Sequence, residues 1–421
     1  MKKIIIFFAI FILSIQPFSF ISAESNEKLK AAFVKNNDLW VKIEDKEMRI
    51  TQGEYVRFPK WSFDGNWIAY IRGGKEDEFP IYKGDFWLYN VKLNQHVKVL
   101  SNVERNFQWA PNKNVLAFQS DNVLKTINVR SLNPHHNITS GIKNFSWLPD
   151  GSGFLTSSKT SESIHSDILL SKITFKKGEN INRVDVRPLY KISVSKNFTK
   201  NDYPFVSTSQ FKWSKDQKWI AFQLIPTASL SSDSNTLAVL SNDGHSFYKI
   251  DEMLNYEEWF QWAPSNNFLG YIQGFNREAI KNKELKVTEI DKNIYSQYTP
   301  KGYVNRDLTW ETDNSLFVSR SIESKWVDVK QRPMPSLYKI DIQTKTSKEI
   351  TSPSSSEGDF RPQYIINENK LIWIRTNREK ANVWIADSNG LNQKIWIENI
   401  NPGTWYYEHW DWDEVFSLYQ P

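Results

Sequence analysis

The chain contains no cysteine. That removes disulfide frameworks, thiolate metal sites, cysteine nucleophiles and the lipid-modified cysteine of an anchored lipoprotein together. Histidine is nearly as scarce, with six in 421 residues. The adjacent pair His135-His136 falls in a short turn, where neighbouring side chains point to opposite sides, so no metal and no cofactor is expected there. No Lys/Arg-rich run occurs. The formal net charge of +5 falls to +3 without Lys2 and Lys3, so no nucleic-acid partner is expected. The nucleophile elbow Gly-x-Ser-x-Gly is also missing, which excludes a serine hydrolase of the α/β type within this chain. From Ala31 onward no stretch of ten or more residues shows helical periodicity.

Aromatic residues, in contrast, are abundant: 14% of the chain, including 18 Trp. Such a chain has material for a large core, and its charge content is ordinary. Residues 1–23 read as a secretory signal. Lys2 and Lys3 form the charged start, Ile4 to Ile15 the apolar core, and Ile21-Ser22-Ala23 a cleavage site. The apolar run is shorter than the ~20 residues a spanning helix needs. An exported protein, extracytoplasmic and monomeric, with no transmembrane helix after cleavage, is therefore expected for residues 24–421. Retention of the leader as an anchor is the lesser alternative.

Short apolar runs broken by turn residues fill the remainder, the pattern of an all-β chain. Trp61-Ser62-Phe63-Asp64-Gly65-Asn66-Trp67-Ile68-Ala69-Tyr70-Ile71 reads as strand, tight turn and strand, with Asp64-Gly65 supplying the turn. The same hairpin returns at Trp109, Trp147, Trp213, Trp262, Trp310 and Tyr364, at intervals of 38 to 66 residues. Seven positions after each start stands an apolar residue: Ile68, Leu116, Phe154, Ile220, Leu269, Phe317 and Leu371. A third and a fourth strand follow, as in Phe86 to Tyr89 and Val97 to Leu100. Four antiparallel strands per period of ~40–50 residues make a β-propeller blade. Ala31 to Val34, Leu39 to Ile43 and Met48 to Thr51 supply three strands of a blade that lacks its first. Tyr406 to Asp413 is expected to be that missing strand, giving eight blades and a ring closed by both termini. Val415 to Tyr419 could also serve as a second strand and compete with Ala31 to Val34, and seven blades, with one terminus outside the ring, is the alternative. Trp213 is expected to be buried between blades.

Trp61-Ser-Phe-Asp-Gly-Asn-Trp-Ile-Ala-Tyr70, Trp109-Ala-Pro-Asn-Lys-Asn-Val-Leu-Ala-Phe118 and Trp213-Ser-Lys-Asp-Gln-Lys-Trp-Ile-Ala-Phe222 resemble the Trp-Ser-Pro-Asp-Gly repeat of TolB-like β-propellers. The resemblance spans nearly all of residues 24–421 and implies the fold. Its motif residues are structural, so it implies no activity. TolB itself is a periplasmic scaffold with a separate N-terminal domain, for which this chain has no room. Propellers of this kind that act as lyases carry a His-rich metal site in the channel. Only the C-terminal strand of this chain has a His in such a place.

Connections between strands two and three are long, as in Arg72 to Asp85 and Arg320 to Pro335, whereas those between strands one and two are tight. One face of the ring is therefore plain and the other decorated with loops, and function on rigid scaffolds gathers on loops. On the decorated side Arg57, Arg105, Arg306 and Arg361 recur three or four residues ahead of the repeat aromatic, accompanied by Glu104, Asp307 and Asp359. Arginine suits paired hydrogen bonds to carboxylate or phosphate. These residues, with Trp326 in an adjacent long loop, form the candidate site for a protein or cell-envelope ligand, and no catalytic residue is expected among them. The cluster Tyr407 to Glu414 places Tyr407, His409, Asp411 and Asp413 on one face if it is a strand. The expected function is a non-catalytic binding or scaffolding propeller. The alternative is a polysaccharide hydrolase or lyase with its site in the channel.

Overall fold

The computed structural model describes residues 29–73, 84–103, 105–132, 135–176, 183–194 and 204–420. The leader assigned to residues 1–23, and Glu104, lie outside them. Among the described residues there is no α-helix, only short 3-10 turns, and no helix long and apolar enough to cross a membrane. Among the described residues eight antiparallel sheets form the blades, seven of them four-stranded and one with its innermost strand split in two, and a separate two-stranded hairpin joins Trp405–Tyr406 to His409–Trp410. The eight-bladed propeller expected from the repeats is the architecture observed.

Blade 1 is the composite. Lys30–Lys35, Asp38–Ile43 and Lys46–Arg49 provide its outer three strands. Its innermost strand is Phe416–Leu418, paired antiparallel with Lys30–Lys35 so that Phe416 faces Phe33 and Ser417 faces Ala32. The termini close the ring, but with a different strand from the one expected. Residues 406–413 do not form a strand; the chain turns back at Tyr407-Glu408 and then enters a 3-10 turn at Trp412–Glu414. Tyr407 and Glu408 both have positive φ, at 48° and 67°, which folds the run into a tight hairpin. The side chains of Tyr407, His409, Asp411 and Asp413 consequently share no strand face.

The innermost strands of blades 2 to 8 begin at Val56, Phe107, Ile142, Phe205, Phe260, Tyr303 and Gly358. Apolar clusters fill the gaps between neighbouring sheets. Phe86 and Leu88 of blade 2 meet Phe107, Leu116 and Phe118 of blade 3, with Phe86 and Phe107 ring centroids 4.8 Å apart. Small residues permit this approach: a Cβ on Gly270 of blade 6 would sit 3.0 Å from the Trp310 ring of blade 7.

The repeat tryptophan does more than fill space. The indole N–H of Trp109 donates to the Lys60 carbonyl of the preceding blade at 2.9 Å. Trp147 does the same to Gln108, Trp262 to Lys212, Trp310 to Gln261 and Trp61 to Ser417. At four repeats the residue just before the tryptophan answers in the other direction. Lys60, Gln108, Lys212 and Gln261 donate through their side chains to the carbonyls of Phe107, Phe145, Phe260 and Leu308 in the following blade. Each such seam pairs polar groups that the narrow gap between inner strands would otherwise strand without water. Trp213 joins the apolar cluster shared with Leu148 and Leu155 of blade 4 but stays half-buried.

Candidate functional site at the channel mouth

Bulges in the innermost strands position the candidate side chains. The pairing of blade 2 skips between Arg57 and Lys60, that of blade 7 between Arg306 and Leu308, and that of blade 8 between Phe360 and Gln363. At each skip one residue takes positive φ: Phe58 at 56°, Asp307 at 45° and Arg361 at 53°. An extra residue twists a strand and re-aims its neighbours. Here it turns the polar side chains at the strand entrances toward the channel.

What they meet there is the chain's own segment 403–415. Glu414 accepts a hydrogen bond from Arg57 Nε at 3.1 Å, both side chains being nearly sealed from solvent, and its other oxygen accepts from the Thr404 N–H at 2.7 Å. Asp411 lies 3.6 Å from Arg105 of blade 3. Asp413 accepts from Arg361 of blade 8 at 2.7 Å. His409 Nε2 lies 2.6 Å from Glu258, just ahead of the first strand of blade 6, and stacks on Tyr256 at 3.4 Å between centroids. The Glu408 carbonyl accepts from buried Arg306 of blade 7 at 2.8 Å. Trp410 and Trp412 are buried and stack on one another, with Trp410 against Phe360. A segment that reaches blades 2, 3, 6, 7 and 8 at their inner ends lies across the mouth.

The sequence-derived residues are thus partly brought together. Arg57, Arg105, Arg306 and Arg361 all gather at the mouth. The acids expected to neutralise them do so only in part. Asp307 accepts from the Trp259 indole at 2.9 Å and from the Arg361 backbone N–H at 2.8 Å. Asp359 belongs instead to a buried two-point pair with Arg375, at 2.6 and 2.9 Å, with Trp373 as third donor. Its geometry is that of a core ion pair, with no bond to Arg361 among the described residues. Trp326 is on the rim, stacked over Arg332 at 3.5 Å and 5.0 Å from the Tyr407 ring.

Sequence reasoning placed Asp413, Glu414 and His409 in a titratable cluster but not at these partners. It missed Arg332 and Arg378, which both hold the Glu408 carboxylate. The signal was present in the density of acids and aromatics between 405 and 414. Nothing local says which distant arginines they meet.

Confinement moves several charges. Crowding at the mouth raises the Asp411 carboxyl to about 7: removal from water acts first, Arg105 opposes it, and Asp413, Glu258 and Glu414 add repulsion, although the side chain keeps 37% of its surface open to solvent. Burial acts on Glu258 in the same sense, yet its hydrogen bond and charge contact with His409, reinforced by Arg361, hold it down at about 2. Burial raises Glu257 despite a hydrogen bond from the Gln210 N–H. Lys60 and Lys212 are pushed down by burial, opposed in both by the acids around the mouth. Burial depresses Arg306 to about 10 against the pull of Glu408 and Asp307. One set of metal-ligating types stands close together among the described residues: Glu258, Asp307 and His409, with ligand atoms within 4.8 Å of one another. Its donors are already engaged. Glu258 and His409 bond directly, and both Asp307 oxygens accept from N–H groups, so the geometry is that of a closed polar knot.

No family model matches the chain, and no curated protein matches it in sequence. Solved structures do match in shape. The dihydro-heme d1 dehydrogenase NirN aligns with a TM-score of 0.61 at 12% identity, over 90% of this chain and 74% of that one. Puromycin hydrolase aligns with a TM-score of 0.52 at 10% identity, over 84% of this chain, which spans 56% of the hydrolase. TolB from Acinetobacter baumannii aligns over 63% of this chain and 62% of its own length, at 17% identity and a TM-score of 0.38. At such identities the first two are likenesses of fold, and the fold is the β-propeller.

Proposed function

We propose that the chain is a non-catalytic, exported binding or scaffolding propeller that engages a protein or cell-envelope ligand through its loop-decorated face. One observation carries this reading. Arg57 and Arg361 at the mouth are matched by Glu414 and Asp413 of the chain's own segment 403–415, while large aromatics on the same face, Trp326, Trp405 and Phe275, remain exposed. Arg, Tyr and Trp beside one another are the composition of binding hot spots. In this reading Arg57, Arg306 and Arg361 hold the segment in place, and Trp326 with Tyr407 and Trp405 supplies contact area. The test is capture of a partner from the cell envelope by the wild-type chain, by a Trp326→Ala/Trp405→Ala variant and by Phe63→Ala on the plain face. Loss confined to the first variant is the expected result; equal loss from both overturns the assignment of the face.

A second reading has an observation of its own. Asp411, 3.6 Å from Arg105 and drawn upward, and Glu258, 2.6 Å from His409 and held down by it, stand in one cluster at the mouth. Two carboxyl groups whose environments drive them apart can serve as acid and base. That would suit a hydrolase or lyase acting on a polysaccharide from within the channel. Turnover of acidic and neutral polysaccharides by the wild type, abolished in both Asp411→Asn and Glu258→Gln, would favour it over the binding reading.

A further inference from the structure

Glu408 is the most completely enclosed carboxylate of the mouth. Its side chain is fully buried, and two guanidiniums converge on it: Arg332 Nη1 at 3.2 Å on one oxygen, and Arg378 through Nε and Nη2 at 3.2 to 3.4 Å across both. Arg306 borders the pocket, donating to the Glu408 carbonyl and to Ser321, and its Nε is buried without a hydrogen-bond partner. Neither Arg332 nor Arg378 pairs with another carboxylate among the described residues, so two positive charges stand against one negative. The wall toward solvent is Trp326, stacked on Arg332 and still 37% exposed.

The group that fills this pocket arrives in an unusual way. Glu408 sits at the tip of a two-residue hairpin whose central positions, Tyr407 and Glu408, have φ of 48° and 67°. Such turns favour Asn-Gly, because side chains other than those of Gly, Asn and Asp crowd the backbone there. Neither turn residue is chosen for the turn. What the tip gains is the placing of one carboxylate between Arg332 and Arg378, with Tyr407 against Trp326.

We infer that the Arg306–Arg332–Arg378 pocket is a receptor for a carboxylate borne on a peptide, and that Glu408 occupies it as an internal mimic of that ligand. The inference rests on the binding reading above and names the site and the ligand chemistry. Paired guanidiniums recognise a planar carboxylate through parallel hydrogen bonds. The orphaned Arg306 Nε offers a further donor that the internal occupant leaves unused. An acidic segment of a partner protein with an aromatic neighbour reproduces what the hairpin presents, and must displace Glu408 to bind. Apparent affinity is then reduced by the fraction of time the hairpin is docked.

The test uses the full chain and a synthetic peptide of residues 402–415, with a second peptide carrying Glu408→Gln and with polygalacturonate as a non-peptide polyanion. Calorimetric titration of the Glu408→Ala chain with the first peptide should give affinity at least about tenfold above that of the wild-type chain. The Gln peptide should lose that gain, and Arg332→Ala/Glu408→Ala and Arg378→Ala/Glu408→Ala chains should lose it too. Equal affinity of wild type and Glu408→Ala overturns the inference, as does a gain that survives removal of either arginine. A gain seen only with polygalacturonate overturns the peptide assignment. If Glu408→Ala does not fold, Glu408→Gln replaces it, and hydrogen exchange at Tyr407 and Glu408 in the wild-type chain is followed as peptide is added. Exchange there must rise; unchanged protection at saturating peptide refutes displacement. Failure of Trp326→Ala/Trp405→Ala to lose an envelope partner would strike the binding reading alone, because these pocket measurements do not use that partner.

Discussion

Removing the Glu414 carboxylate isolates what the terminal segment contributes to the ring. Arg57 and Glu414 are 357 residues apart in sequence and nearly sealed from solvent. In Glu414→Ala the Arg57 guanidinium keeps its bonds to the Val56 carbonyl and to Asn37 Oδ1, and its place over the Tyr55 ring at 4.0 Å. It loses its one buried counter-charge among the described residues, and the Thr404 N–H loses its bond to Glu414. Breaking a buried pair from one side costs ~3–5 kcal/mol, and the surviving bonds of Arg57 argue for the lower half of that range. With an unfolding entropy of ~2.1 cal/mol/K per residue over about 390 residues, each kcal/mol moves the melting temperature by only about 1.2 °C. The expected fall is therefore about 4–5 °C by calorimetry. The double variant Arg57→Met/Glu414→Leu removes both charges together and should recover most of the loss, since apolar replacement of a buried pair is often neutral. A single-variant shift below about 1 °C, or a double variant that melts at the sum of its parts, would refute the claim that this pair fastens the segment.

Four further outcomes follow from the packing and the buried charges. Trp310→Ala removes a buried indole and its bond to Gln261, and should cost ~3–5 kcal/mol, whereas half-buried Trp213→Ala should cost less; urea melts of the two variants decide the order. Deleting residues 416–421 strips Phe416 from Phe33 and leaves Lys30–Lys35 as an open edge, so the product should aggregate in light-scattering assays; a monomeric product of unchanged stability would show that closure is dispensable. Asp411, raised from 3.8 to about 7 in the folded state, binds its proton more tightly there than when unfolded. It therefore lowers stability progressively as pH rises from about 4 to about 7, and Asp411→Asn should flatten the melting profile across that window. Glu258 has the opposite sign: held at about 2, it stabilises above its unfolded value and loses that effect as pH falls from about 4.5 to about 2; Glu258→Gln should remove that acid-side slope.

Most of the fold was legible because blade structure is local. Trp61, Trp109 and Trp262 recur in register because each must reach a carbonyl on the neighbouring inner strand, and the Ala or Gly eight positions later must let the next sheet approach. Short apolar runs and tight turns carry that information within a few dozen residues. Arg57, Arg306 and Arg361 were legible for the same reason, since the bulge that aims them occurs at one place in the repeat.

The sequence by itself therefore determined the all-β class, the eight repeats, closure by both termini and the gathering of charge on one face. Only the tertiary structure decided which terminal strand closes blade 1 and where residues 403–415 go. Phe416–Leu418 wins the edge because Phe416 pairs with Phe33 while Tyr407 and Glu408 bend the competing run into a hairpin with a turn that has no sequence signature. The partners of Glu408, Asp413 and Glu414 lie tens to hundreds of residues away. An ion pair depends on where two charges arrive in space, and residue spacing along the chain does not encode that.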